Sequence, residues 1–147
     1  MTFATVQDGL ANQIKALDHF DDRRVSLNDW DILSQGVENA AILEYQEFEL
    51  ERDSSDIDTL IRWMVRINLL VRYTEDSQAN KDMRDRRDEI ILRILQNPTL
   101  PNDAAVATAF DSTPVSGGLA DEEIVELGGV RFLKEFINVV IEERVNA

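Results

Sequence analysis

Three arginines, Arg62, Arg66 and Arg72, are threaded through "LIRWMVRINLLVRYT" (residues 60–74), the most hydrophobic stretch of a chain whose formal net charge is -14. Cations placed this way could hold an anion, pair with acids of the same fold or meet another subunit, and their spacing has to decide between these. The remaining reactive side chains offer less. There is no cysteine, which excludes disulfides, thiolate zinc sites and cysteine nucleophiles together. The single histidine, His19, stands beside Asp18 and Phe20, too thin a setting for a transition-metal site or a Ser-His-Asp relay. It reads as the polar end of a helix or turn. Between 44 and 58 the carboxylates Glu44, Glu47, Glu49, Glu51, Asp53, Asp56 and Asp58 could do acid/base work or bind calcium. Calcium loops need a glycine-turned run of ligands that "ERDSSDIDTL" lacks, so a solvated face is the plainer reading. "STPVSGGLAD" (112–121) has paired glycines but neither the lysine nor the spacing of a phosphate loop, and reads as an interaction loop. "RDRRD" (84–88) reads as a solvated helix face rather than a nucleic-acid patch. No catalytic, metal-binding or cofactor-binding residue is assigned.

The arginines are sorted by period. At two residues per repeat, Ile61, Trp63, Val65, Ile67, Leu69, Val71 and Tyr73 line one face, and Arg62, Met64, Arg66, Asn68, Leu70 and Arg72 line the other. A helix would bring Arg62 and Arg66 together but scatter Asn68 and Arg72. The stretch is therefore a strand, about 40 Å long at roughly 3.3 Å per residue. "AAILEYQEFELERD" (40–53) reads as its hairpin partner. Leu43 and Tyr45 fall on one side, Ile42, Phe48 and Leu50 on the other with Glu44 and Gln46. If the two strands pair antiparallel, acids of the first lie beside arginines of the second, and such pairs contribute roughly 0.2–1 kcal/mol each. The arginine side is then either a charge-matched outer face or a mixed patch for another subunit, formed by Arg62, Met64, Arg66, Leu70 and Arg72. The chain's twelve arginines against three lysines lean toward the second, because interfaces are rich in Arg and Met and poor in Lys.

The flanking elements complete an α+β domain. Phe3, Val6, Leu10, Ile14 and Leu17 recur at helical intervals over 3–18. "VSLNDWDILSQGVENA" (25–40) is an irregular connection with Trp30 and Leu33 as core plugs. A second helix, capped by Asp76 or Ser77, carries Ala79, Met83, Ile90, Ile91, Ile94 and Leu95 as a stripe. Its outer face offers ion pairs such as Asp82 with Arg86, and Asn97-Pro98 stops it. Residues 97–129 hold all three prolines and four of the six glycines, and form a variable loop or arm with short strands hidden in "AAVATAF" and "EEIVEL". "VRFLKEFINVVIEERV" (130–145) satisfies both periods; the β-branched "INVVI" after Gly128-Gly129 tilts it to strand. The expected architecture is one domain over 1–147, in the order α-β-β-α-(loop or short β)-β, a mostly antiparallel sheet with two amphipathic helices on one face.

Twenty-nine acids against fifteen bases oppose binding to phosphate or anionic lipid, and no run approaches the roughly 20 apolar residues of a membrane span. Sequence-specific nucleic-acid binding and membrane partners are not expected, and a soluble intracellular protein is.

The strand "AAILEYQEFELER", the run "WMVRINLLVRYTEDSQANKDMRDRRDEIILRILQNPTL" and the late strand "RFLKEFINVVIEERV" together resemble the tail terminator (tail completion) proteins of long-tailed bacteriophages. "LVRYTEDSQA" entering the helix and "LQNPTL" leaving it carry most of the likeness, which extends over about residues 3–145 as a pattern of elements. The resemblance implies a non-enzymatic virion protein, made in the host cytoplasm, that forms a ring, usually a hexamer. Such a ring caps the tail tube, stops its polymerisation and offers the surface for head-tail joining. Its implied partners are further copies of the chain, the major tail tube protein and the head-tail connector or stopper. No cofactor is implied. A lumen passing DNA works best if it repels phosphate, a role open to Glu47, Glu49, Glu51, Asp121, Glu122 and Glu123. The alternatives are another neck component such as a head-tail stopper, a small-ligand-binding α+β domain, or an acidic mimic of DNA charge.

Overall fold

The computed structural model describes residues 3–21, 23–52, 58–98, 110–127 and 129–146. It is an α+β fold built on one sheet. Helix α1 (Phe3–Lys15) is followed by a short strand β1 (Val25–Leu27) and a 3-10 helix (Trp30–Gln35), then by strands β2 (Asn39–Arg52) and β3 (Asp58–Arg72). Helix α2 (Asp76–Gln96) precedes strands β4 (Phe110–Leu127) and β5 (Val130–Asn146). Across the sheet the order is β1-β2-β3-β5-β4, with β1 parallel to β2 and every other pairing antiparallel.

Both helices lie on one face, as the apolar stripes require. Val6, Leu10 and Ile14 of α1 and Ala79, Met83, Ile90 and Ile94 of α2 pack on Leu43, Val65, Ile67, Leu69, Val139 and Ile141. A polar clamp joins the helices. The buried Gln13 donates to the Asn97 carbonyl (3.2 Å) and accepts from Arg93 Nε (2.8 Å), satisfying the end of α2. Helix α2 starts without the expected Asp76 or Ser77 cap: Glu75 is its N-cap residue and makes no side-chain cap bond. Asp76 instead enters the first turn and accepts from the Tyr73 hydroxyl (3.1 Å), which raises the Tyr73 pKa above the ordinary phenol value. Arg86 pairs with Glu89 (3.3 Å) in place of Asp82, and Leu95 points outward.

The connection over 25–40 is more regular than its composition predicts. Asp29 accepts from the Asp31 N–H (3.0 Å) and starts the 3-10 helix, while Gly36, at φ 77°, ends it in the left-handed region that glycine tolerates. This turn folds Trp30, Ile32, Leu33 and Val37 onto the opposite face of the sheet, where they meet Ala40, Ile42, Leu70 and Phe132. The sheet thus has a second small core, and the expected core plugs Trp30 and Leu33 belong to it.

Two further expectations are corrected. The variable loop is largely the 18-residue strand β4, paired along β5 but broken by register shifts at Pro114/Ser116 and Leu119/Ile124. Pro114, Gly117 and Gly118 are accommodated in it because β4 is an edge strand, where a missing N–H or a bulge is tolerated. "EEIVEL" falls within it; most of "AAVATAF" lies outside the described residues. In β2 the register shifts between Tyr45 and Glu47, leaving Gln46 as an extra residue. Beyond that bulge the alternation inverts, so Phe48 (opposite Trp63) and Leu50 (opposite Ile61) join Tyr45 on the helix-bearing side instead of Ile42. Strand β5 confirms the β-branched reading of its segment.

Candidate functional site

The hairpin of β2 and β3 is longer than the layers that cover it. Near the helices both faces are buried; beyond Tyr45 the described elements leave both partly open. The arginine side of that distal half is built in rows. Glu49, Arg62 and Glu142 stand abreast across β2, β3 and β5, followed by Glu47, Met64 and Val140, then by Glu44, Arg66 and Asn138. Arg62 Nη2 reaches Glu51 (2.7 Å) and its Nε reaches Glu142 (3.4 Å). Hydrogen bonding to Glu51, more than the contribution from Glu142, lifts the Arg62 pKa above its usual value and outweighs the cost of burial. Arg66 donates to Asn138 Oδ1 (3.2 Å) and stacks its guanidinium 4.3 Å above the Phe136 ring, while Asn138 donates to Ser116 Oγ (3.0 Å) on β4. At the border with the second core, Glu44 accepts from Trp30 Nε1 (3.1 Å).

The predicted patch is therefore only partly assembled. Arg62, Met64 and Arg66 share one surface. Leu70 does not: it is fully buried in the second core, because the 3-10 segment covers the reverse face that sequence alone leaves open. Arg72 sits ten positions from Arg62 on the same strand, at the far end of the sheet, where it lines a polar cavity of about 430 Å³ with His19, Glu38, Thr74, Asp82 and Arg86. His19 Nδ1 lies 3.3 Å from Glu89 there. The acids proposed for a lumen also divide. Glu47, Glu49 and Glu51 are exposed on β2, whereas 121–123 run in β4 at the opposite edge of the sheet, and the side chains of Asp121, Glu122 and Glu123 lie outside the described part. Asp53 and Asp56 lie outside the described residues too.

The helix-bearing side of the distal half holds Trp63, as its place on the apolar face of β3 predicts, and also Phe48 and Leu50, which plain alternation of β2 assigns to the other side. Trp63 stands 6.5 Å from Tyr45 and 5.6 Å from Phe48 (ring centroids). Its indole donates to Glu143 Oε2 (2.9 Å), a carboxylate that is 1% exposed and whose Oε1 has no partner among the described residues. Phe48 and Leu50 are 50% and 62% exposed. Only the bulge at Gln46 brings these side chains to one face, and nothing in "EYQEFE" announces it beyond the imperfect alternation. A shallow apolar groove of about 390 Å³ lies between α2 and the β4–β5 edge, with Ile91, Leu95, Val115 and Phe136 in its walls and the Arg87–Glu135 pair (3.2 Å) beside it.

Among the described residues no group of three or more His, Asp or Glu side chains is placed to hold a metal, and no helix is long and apolar enough to cross a membrane. What the distal hairpin offers is contact chemistry: guanidinium, thioether and carboxylate on one face, aromatic and aliphatic groups on the other. No model of a known protein family matches the chain, and no curated protein matches it.

Proposed function

We propose that this chain is a structural subunit that assembles with copies of itself into a ring, a hexamer, at the head-facing end of a bacteriophage tail tube. There it stops tube polymerisation and presents the surface to which the connector or stopper of the filled head joins. Its place is the virion, reached from the host cytoplasm during assembly. The observation that carries the proposal is the distal half of the β2–β3 hairpin, whose two faces the described helices and 3-10 turn leave partly open and whose Arg62, Met64 and Arg66 have the composition of a contact surface. Together with the element order and the phrases "LVRYTEDSQA" and "LQNPTL", this supports a tail terminator reading over an enzymatic one. The charge-matched rows around Arg62 serve the same end, since acids that satisfy the arginine in the free subunit can exchange for acids of a neighbour at small net cost.

Deleting the gene in its phage tests the proposal. Tails of uncontrolled length lacking heads are the expected result. Normal-length tails beside separate filled heads would assign the chain to another neck component, such as a head-tail stopper. A second reading, a small-ligand-binding domain, is favoured by one observation alone, the polar cavity beside Arg72 and Arg86. It predicts a monomer whose thermal stability responds to small anions but not to isolated tail tubes.

A further inference from the structure

Among the described residues, the outer edge of β2 beyond its bulge is the most distinctive strand edge without a neighbouring strand. Strand β1 pairs only with Ala41, Ile42 and Leu43, and the Asn28 N–H closes this short ladder on the Leu43 carbonyl (2.9 Å). From Glu44 to Arg52, β2 has β3 on one side and no strand among the described residues on the other. Its side chains are sorted by face. Glu47, Glu49 and Glu51 point to the arginine side and are exposed, while Phe48 and Leu50 point to the helix side, half or more exposed.

An open edge with apolar side chains on one face is ordinarily a liability, and natural edges are guarded by lysine, proline or bulges. Here the guard is a row of glutamates, which selects among strands rather than refusing all of them. A second copy is a poor occupant. Pairing β2 with β2 would set glutamate against glutamate. The chain's other long edge, β4, has a proline without an N–H and two register breaks, and carries Asp111 and Glu126. A strand alternating Arg or Lys with Val, Ile or aromatic residues fits both faces at once, with its cations over Glu47 and Glu49 and its apolar side chains beside Phe48 and Leu50. We propose that residues 47–52, beyond the bulge, form a docking edge for an extended basic-apolar segment of another protein, which adds to the sheet as a sixth strand. The inference stands on the edge, the bulge and the charge pattern, and does not depend on the tail-terminator reading.

Fluorescence anisotropy with a labelled nine-residue peptide of alternating Arg and Val tests it on the full chain. The expected result is saturable binding that weakens with salt. Alternating Glu and Val, or the Arg and Val residues regrouped into two blocks, should bind at least about tenfold less tightly. Glu47→Lys with Glu49→Lys should invert the preference toward the Glu/Val peptide. Both positions are solvent-exposed, and circular dichroism should show an unchanged fold. The decisive control is the Arg/Val peptide N-methylated at every residue, which retains charge and apolar surface but cannot pair with a sheet edge. Equal binding of that peptide would overturn the proposal, since attraction would then be electrostatic alone. So would absence of binding by the unmethylated peptide, or self-association that Glu47→Lys with Glu49→Lys abolishes and the peptide does not displace, which would make a second copy the occupant.

Discussion

At the scale of single residues, the arginines of β3 divide by what surrounds them. Arg62 is held by Glu51 and Glu142, Arg66 by Asn138 and the Phe136 ring, and Arg72 stands apart at the other end of the strand. Replacing Arg62 and Arg66 together with Glu is expected to leave a folded monomer with a modestly lower melting temperature, since both sites are partly solvated, while abolishing ring assembly. Circular dichroism and light scattering separate the two effects, and normal rings from that variant would return both arginines to a purely local role. Tyr73 supports a pH prediction. Its raised pKa means that its contribution to stability is fully present below the ordinary phenol value and is lost as pH rises through the higher folded value. Asp76→Asn should move the Tyr73 titration back toward that ordinary value, read by phenolate absorbance in a Tyr45→Phe background.

At the scale of elements, period-two alternation made β3 legible in full. Its apolar face is the core face, so Val65→Asp or Ile67→Asp should unfold the protein by burying an unpaired charge at a fully enclosed site. In β2 the same rule held only as far as Tyr45. One extra residue, Gln46, exchanges the faces of everything beyond it, and a bulge is a property of two paired strands, invisible in either one alone. A deletion test follows. Removing Gln46 should restore plain alternation without moving Glu47, Phe48 or Glu49 from their faces, and leave the melting temperature nearly unchanged. Removing Met64 from β3, whose pairing with β5 is unbroken, should transpose one half of that strand against β5 and abolish cooperative unfolding. In β4, Gly117 permits close approach of the backbones: an added Cβ would stand 2.6 Å from the Phe136 carbonyl oxygen. Gly117→Ala should therefore destabilise by about 1–3 kcal/mol, measured by denaturant unfolding.

At the scale of the whole molecule, the proposed ring would have to assemble against the repulsion of subunits that each carry a net charge of -14. Ring formation should rise with ionic strength, as screening shortens that repulsion while leaving apolar contact intact; sedimentation velocity from low to molar salt reads this directly, and dissociation by salt would mark the subunit contacts as chiefly ionic. The second core is a feature of the same scale. Leu70→Ala should cost about 2–5 kcal/mol and detach the 3-10 segment, where a surface leucine would cost little. By itself the sequence determined the α+β class, both helices, the central strand and the side on which its arginines lie, because each follows from periodicity within one element. Only the tertiary structure decided that Leu70 is enclosed, that Phe48 and Leu50 share a face with Trp63, that residues 110–127, within the stretch holding all three prolines, form an edge strand, and that Arg72 leaves the patch. Each of these depends on which strand pairs with which and on what folds back over the sheet, and such long-range neighbours leave no period in the chain that contains them.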